Sequence, residues 1–146
     1  MKKQTEKSYA AIADPIILGL IRKHFPEVRT VLDLGCGSGG NAAYLKLAGF
    51  DVTGITISAQ EAHVMSSICP VVVFDLTEGL PSEIKREDFD IILAAHVLEH
   101  IFYPEALLRD VMNVCRDGLV VIIPNLLYWR NRVKMLFGIF ELNYRS

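Results

Sequence analysis

Short apolar runs alternate with amphipathic stretches along this chain, and that alternation sets the order of its elements. Val28 to Leu34, Phe50 to Ile57, Val71 to Phe74, Phe89 to Ala95 and Leu119 to Ile123 are dominated by apolar residues. They are too short for helices and predict strands. Asp14-Pro15 predicts a helix start, a capping carboxylate before proline at the first helical position, with Ile16, Ile17, Leu20 and Ile21 on one face and Pro26 closing it. The Gly39-Gly40-Asn41 turn opens a second helix that carries Ala42, Leu45 and Ala48 inward and stops at Gly49, a natural left-handed cap. Ser58-Ala59-Gln60-Glu61 fits a capping box, in which serine and glutamate each satisfy a free N–H of the next helix.

Further along, the polar segment from Thr77 to Asp88 predicts one short helix around Ser82 to Arg86. Pro104 begins another, with Leu107, Leu108, Val111, Met112 and Cys115 on its buried face, before Asp117-Gly118 turns into the last strand. Trp129, Val133, Leu136, Phe137 and Phe140 repeat at helical spacing, which predicts a core-packed amphipathic tail helix over 126–146. Residues 1–27 are expected to form an N-terminal helical segment. The fold class is therefore α/β: a Rossmann-like, doubly wound parallel sheet with helices on both faces, which binds ligands beyond the carboxyl ends of its strands.

Composition narrows this further. A chain of 146 residues is expected to be one domain, 1–146, able to fold unaided. Its net charge of −2 carries no basic bias of the kind that marks a nucleic-acid binder. Cys36, Cys69 and Cys115 are odd in number and widely spaced, so neither a disulfide framework nor a CxxC zinc pair is indicated. Met1 to Glu6 leads into no hydrophobic signal core, and no stretch reaches the ~20 apolar residues of a membrane span. The expected setting is cytoplasmic.

The chemistry concentrates where Val31-Leu32-Asp33-Leu34 breaks into Gly35-Cys36-Gly37-Ser38-Gly39-Gly40. Glycines at 35, 37 and 40 spell G-x-G-x-x-G, which removes side chains where backbone must approach a nucleotide-like ligand closely. A pyrophosphate gains nothing from Asp33 just upstream, whereas a cofactor with a cationic amino-acid end does.

Asp33 to Gly39, then Asp75 after the third strand, then Phe89-Asp90-Ile91-Ile92 leading to Val97-Leu98-Glu99-His100, together resemble the class I S-adenosylmethionine-dependent methyltransferases. The resemblance runs from about Val28 to Phe140. Ile123-Pro124-Asn125, Trp129-Arg130 and Leu136-Phe137-Gly138 look in particular like the bacterial branch that includes the methionine-biosynthesis W-type proteins, among the type 11 and 12 methyltransferases. The resemblance implies a sheet order of 3-2-1-4-5, without the family's last two strands.

It also implies roles. Gly35, Gly37 and Gly39 pass beneath S-adenosylmethionine, with Cys36 in the same turn, and Asp33 lies near the methionine end, where a carboxylate binds an ammonium directly or through water. Asp75 accepts a hydrogen bond from the adenine amino group and Leu76 offers its amide; the plain alternative for Asp75 is a turn or cap residue. Ile57 and Ala94 complete the cofactor's surroundings. The family's acid at the end of the second strand, which grips both ribose hydroxyls, is replaced by Thr56. A hydroxyl gives no charge-assisted bidentate contact, so weaker cofactor binding is expected. Thr56-Ile57-Ser58-Ala59-Gln60 resembles a segment of the cyclopropane fatty acid synthase branch, in which case Gln60 shares the ribose contact; otherwise it is an exposed residue of a helix's first turn.

Rival readings are a nicotinamide-dinucleotide enzyme, which Asp33 and Thr56 count against, and a zinc site. His96-Val97-Leu98-Glu99-His100 matches H-x-x-E-H with both histidines on one helix face, but it follows a buried strand and no histidine comes after His100. Metal is expected to be absent, with Glu99 and His100 organising the strand exit. His96 either orients an acceptor and takes its proton or caps the strand; Tyr9 either closes over the cofactor or packs. The expected activity is methyl transfer to a small molecule. With the chain ending where it does, the fifth strand is expected to be an edge that a second copy, a partner or the tail helix covers, and the alternative expectation is a cofactor-binding module that is inactive alone.

Overall fold

In the computed structural model, which describes residues 13–85 and 88–123, five strands form one sheet in the order β3-β2-β1-β4-β5. They are β1 (Thr30–Leu34), β2 (Asp51–Thr56), β3 (Val71–Val73), β4 (Phe89–Ala95) and β5 (Cys115–Ile122), and every neighbouring pair is parallel. Between or before them run α1 (Pro15–His24), α2 (Gly40–Leu47), α3 (Ala59–Met65) and α4 (Pro104–Val114), with one-turn 3-10 helices at Leu76–Glu78 and Leu98–His100. No helix among the described residues is long and apolar enough to cross a membrane.

Successive strand residues point to opposite faces, so each strand feeds two cores. Val31, Val52, Ile91 and Leu93 pack under Ile17, Leu18 and Ile21 of α1, Ala42 and Leu45 of α2 and Met65 of α3. Leu32, Leu34, Ile55, Ile92 and Ala94 pack on the other face, under Leu107 and Val111 of α4. Such double burial explains why these strands read as unbroken apolar runs.

Asp90 ties the amino-terminal end of the sheet. Its buried carboxylate accepts from the amides of Arg29 (2.6 Å) and Thr30 (2.9 Å), its own amide donates to the Thr30 hydroxyl (2.9 Å), and Arg116 pairs with its other oxygen. Three strands, β1, β4 and β5, meet on that one side chain. Burial pushes the carboxyl up, but those amides, the hydroxyl and the guanidinium together hold it below the ordinary carboxylate range.

Tertiary packing moved several expected features. The α1 stripe is Ile17, Leu18 and Ile21, with Ile16 61% exposed. Asp14 caps Ile16 (3.0 Å) while its own N–H donates to Asn41 of α2 (2.9 Å), a tie that fixes how the helix enters the fold. α4 passes straight into β5: Asp117-Gly118 is a bulged part of the strand, because the Phe25 ring fills the space where a Cβ on Gly118 would lie 2.6 Å away. Cys115 is thus a strand residue, and Met112 is exposed. Residues 82–83 make only a turn, while the helical turn falls at Leu76–Glu78, where Asp75 caps it.

The tail helix, Tyr9, Arg86 and nearly all of the branch-specific segment from Ile123 to Gly138 lie outside the described residues.

Candidate cofactor site

The carboxyl ends of β1, β2 and β4 lie side by side where the strand order reverses, with Leu34 paired to Ile55 on one side and to Ala94 on the other. Ligands of open α/β sheets bind at this position. The connection leaving β1 carries Gly35 (φ +63°), Gly37 (φ +53°) and Gly39 (φ +89°) in the left-handed region, so the alternate glycines shape it; Gly40 already belongs to α2. A Cβ on Gly35 would strike Val97 Cγ2 at 2.5 Å and one on Gly39 would strike Met65 Sδ at 2.0 Å. A Cβ on Gly37 would meet only Glu61 Oε1, at 4.0 Å. A side chain on the first or third glycine would run into the protein, whereas one on the half-buried middle glycine would not; the backbone of Gly35 itself is exposed.

Beneath the loop, Asp33 is 1% exposed and its Oδ2 has no hydrogen-bond partner among the described residues. Burial pushes its carboxyl up to about 7. A buried carboxylate without a partner is costly, so this atom is suited to an incoming cation, and the ammonium of an amino-acid end supplies one.

Cys36 donates its amide to Ile55 O (2.9 Å) and packs its sulfur over Gly54, where a Cβ would lie 2.6 Å from it. Burial first, then Asp33, push its thiol up, which makes it a packing group. The Cys36 sulfur and the terminal methyl of Met65 thus fill the space that Gly54 leaves in β2.

Thr56 is buried at the end of β2, its hydroxyl donating to Glu61 Oε2 (2.7 Å) and accepting from Ser58 N–H (3.2 Å). Only half of the expected capping box forms: Ser58 Oγ accepts from Glu61 N–H (3.2 Å), but the glutamate reaches Thr56 instead of the Ser58 amide. Ile57 and Gln60 are exposed. Sequence reasoning passed over Glu61, whose signal was an acid five residues beyond a strand-end hydroxyl.

Asp75 Oδ1 accepts from the Thr77 amide (2.9 Å) and hydroxyl (2.7 Å), which hold its carboxyl low. Its capping role is real, and the second oxygen stays clear of those bonds. Leu76 is buried beside it, and Ala94 is buried in β4.

His96 leaves β4 in the left-handed region (φ +57°), unusual for a side chain larger than glycine. Its amide donates to Ile122 O (2.9 Å), and its Nδ1 lies 3.4 Å from Glu99 Oε1. The H-x-x-E-H stretch is not an α-helix: Leu98–His100 is a 3-10 turn with His96 outside it, so the histidines do not share a helix face. Among the described residues no three His, Cys, Asp or Glu side chains are grouped to hold a metal ion.

Comparison with known proteins agrees with this geometry. The family described as "Methyltransferase domain" matches residues 4–137. Norajmaline N-methyltransferase of Rauvolfia serpentina is 29% identical over 102 residues, covering 65% of this chain and 35% of that protein. The 2-methyl-6-phytyl-1,4-hydroquinone methyltransferase of Synechocystis is 29% identical over 111 residues, 73% of this chain and 34% of that one. The chain thus spans about a third of the length of these curated relatives. A SAM-dependent methyltransferase of Thermotoga maritima superposes with a TM-score of 0.64 at 25% identity, over 82% of this chain and 55% of that structure. With the fold, the left-handed glycine loop and this match in agreement, the chain belongs to the methyltransferase-domain family, whose cofactor is S-adenosylmethionine.

Proposed function

We propose that this chain binds S-adenosylmethionine at the β1, β2 and β4 ends and transfers its methyl group to a small molecule. The observation that carries the reading is Asp33 Oδ2, buried and without a partner among the described residues, directly before a left-handed glycine loop. Asp33 receives the ammonium, the open side of Gly37 receives the cofactor's body, and Asp75 with the Leu76 amide receives the adenine edge. The cofactor supplies an already activated methyl on its sulfonium. The protein's task is therefore alignment and exclusion of water. His96, with Nδ1 toward Glu99, presents Nε2 to take the proton that an O–H or N–H acceptor releases. A small-molecule acceptor is supported by the relatives, which are named for methylating norajmaline and a hydroquinone. The free cysteines suit a cytoplasmic setting.

Calorimetry with S-adenosylmethionine, S-adenosylhomocysteine and NAD on the wild type and Asp33→Ala tests the cofactor site. Binding of the two sulfur cofactors, lost or strongly weakened in the variant, supports it; heat from NAD alone overturns it. Transfer of labelled methyl into an extract separates the enzyme from a module that only binds its cofactor.

A further inference from the structure

Phe102 and Tyr103 are consecutive aromatic residues left 95% and 73% exposed, and Phe102 is the most exposed large apolar side chain among the described residues. Each such ring offers roughly 150–250 Å² for burial, so the pair is an apolar surface without a cover. The segment that carries it is well tied. Val97 at its start is buried and fills the space beside Gly35, the amides of His100 and Ile101 donate to Val97 O (3.0 Å) and Leu98 O (3.2 Å), and Ile101 packs on the core under α4. Tyr103 then caps α4, its carbonyl accepting from Ala106 N–H (3.2 Å). The rings therefore stand at the carboxyl end of β4, shortly after His96 and on the same end of the sheet as the cofactor site. Exposed Ile123 stands at the neighbouring strand end, where the His96 amide donates to Ile122 O (2.9 Å). From Ala95 to Leu108 the chain has no lysine or arginine and carries Glu99 and Glu105. An anionic molecule finds no counter-charge on this segment and meets two carboxylates.

We propose that Phe102 and Tyr103 anchor the methyl acceptor and that this acceptor is an uncharged phenol with an apolar body, an inference that rests on the S-adenosylmethionine reading and names the substrate class of that site. The apolar body covers the two rings, offset or edge-on, and the hydroxyl points toward His96. A phenol suits both ends of this arrangement. It is neutral near pH 7, yet it loses its proton far more readily than an aliphatic alcohol, which brings it within reach of an imidazole base. An uncharged amine attacks with its own lone pair and gives His96 no proton to take first. In the step, the acceptor's O–H proton passes to His96, its oxygen bonds the methyl carbon, and the carbon–sulfur bond breaks with its electron pair left on sulfur. The products are a methyl ether and S-adenosylhomocysteine.

The test is calorimetry on the chain saturated with S-adenosylhomocysteine, using 4-ethylphenol, 4-butylphenol, 4-hexylphenol and 4-hydroxybenzoate as probes. Affinity is expected to rise roughly two- to fourfold for each added methylene, with the carboxylate at least about tenfold weaker than 4-ethylphenol. Phe102→Ser and Tyr103→Ser should each lower 4-hexylphenol affinity by roughly 5- to 30-fold while S-adenosylhomocysteine affinity stays within about twofold of wild type. Leu47→Ser, which removes an apolar side chain nearly as exposed at the end of α2, should leave 4-hexylphenol affinity unchanged. With labelled S-adenosylmethionine, methyl should go to 4-hexylphenol in preference to 4-hexylaniline. Affinity that ignores chain length, tighter binding of the carboxylate, or an equal loss in Leu47→Ser overturns the anchor and leaves the cofactor site standing. A wild-type dimer that Phe102→Ser dissociates gives the rings to a second copy and overturns it too. Preference for the aniline, or transfer to neither, overturns the phenol. A wild type that does not bind S-adenosylhomocysteine overturns the cofactor reading itself.

Discussion

Gly35 and Val97 meet so closely that a Cβ on the glycine would sit 2.5 Å from Val97 Cγ2. Gly35 follows β1 and Val97 lies just beyond β4, so this contact locks together the exits of the two strands that flank the switch point. The direction a Gly35 side chain would take is thus filled from within the protein, whereas at Gly37 it is left open.

Gly35→Ala is therefore expected to be strongly destabilising. The left-handed backbone costs a side chain about 1–2 kcal/mol, and forcing a methyl into Val97 adds roughly 1–3 kcal/mol. Gly37→Ala pays the backbone cost without the clash, so it should fold yet bind S-adenosylhomocysteine poorly, because its methyl enters the open side of the loop. Urea midpoints and calorimetry on the two variants check this pair. Equal stability of Gly35→Ala and wild type would show that Val97 yields easily and does not shape the loop.

At the far end of the sheet, Asp90→Ala leaves the amides of Arg29 and Thr30 without their acceptor and Arg116 without its partner. A loss of about 2–5 kcal/mol is expected. Arg116→Ala should cost less than about 1 kcal/mol, since that side chain is half exposed. Because Asp90 is held below its ordinary range, its contribution is present above about pH 4 and is lost as pH falls through the folded value. Chemical denaturation at neutral and acid pH measures all three effects, and similar losses for the two variants would remove Asp90 from its central place.

His96 sits in the left-handed region with its ring beside Glu99. Asparagine tolerates that backbone, so His96→Asn should melt close to wild type while methyl transfer falls by roughly 10²- to 10⁴-fold. Glu99→Gln should lower transfer less than His96→Asn does, since it removes only the charge that faces Nδ1 and leaves the ring in place. A variant at 96 that keeps full activity would reduce the histidine to a strand cap.

How much of this was legible in the sequence depended on whether the signal was local. β4 was read to the residue, from Phe89 to Ala95, because an apolar run bounded by Asp88 and His96 leaves little choice. The Asp14-Pro15 and Gly49 signals also act within one turn, and both appear as expected. Asp117-Gly118 failed as a turn because a residue some ninety positions earlier, Phe25, needs the space that Gly118 leaves. Asp33 and the glycines announced the site through composition and spacing. Glu61 was hidden because its local role, closing a capping box with Ser58, competes with a tertiary one, and the buried Thr56 hydroxyl won.

The same Asp33 that marks the site should make cofactor binding depend on pH. In the free protein its carboxyl is raised from 3.8 to about 7 by burial, so the folded state holds a proton that the unfolded state releases. Relative stability from this group is fully present below the unfolded value and is lost as pH rises to the folded one, by roughly 4 kcal/mol at 1.36 kcal/mol per unit. Asp33→Asn escapes that loss, so without cofactor the variant should gain on wild type in thermal melts between acid and neutral pH. Binding runs the opposite way. An ammonium favours the ionised carboxylate, so wild type must give up the proton to bind below about pH 7, and affinity should drop close to tenfold for each unit of acidification there. Calorimetry with S-adenosylhomocysteine from about pH 5.5 to about pH 7.5 should show this slope in wild type and not in Asp33→Asn, which carries no proton to release. Parallel pH profiles for the two proteins would mean that the ammonium never reaches Asp33.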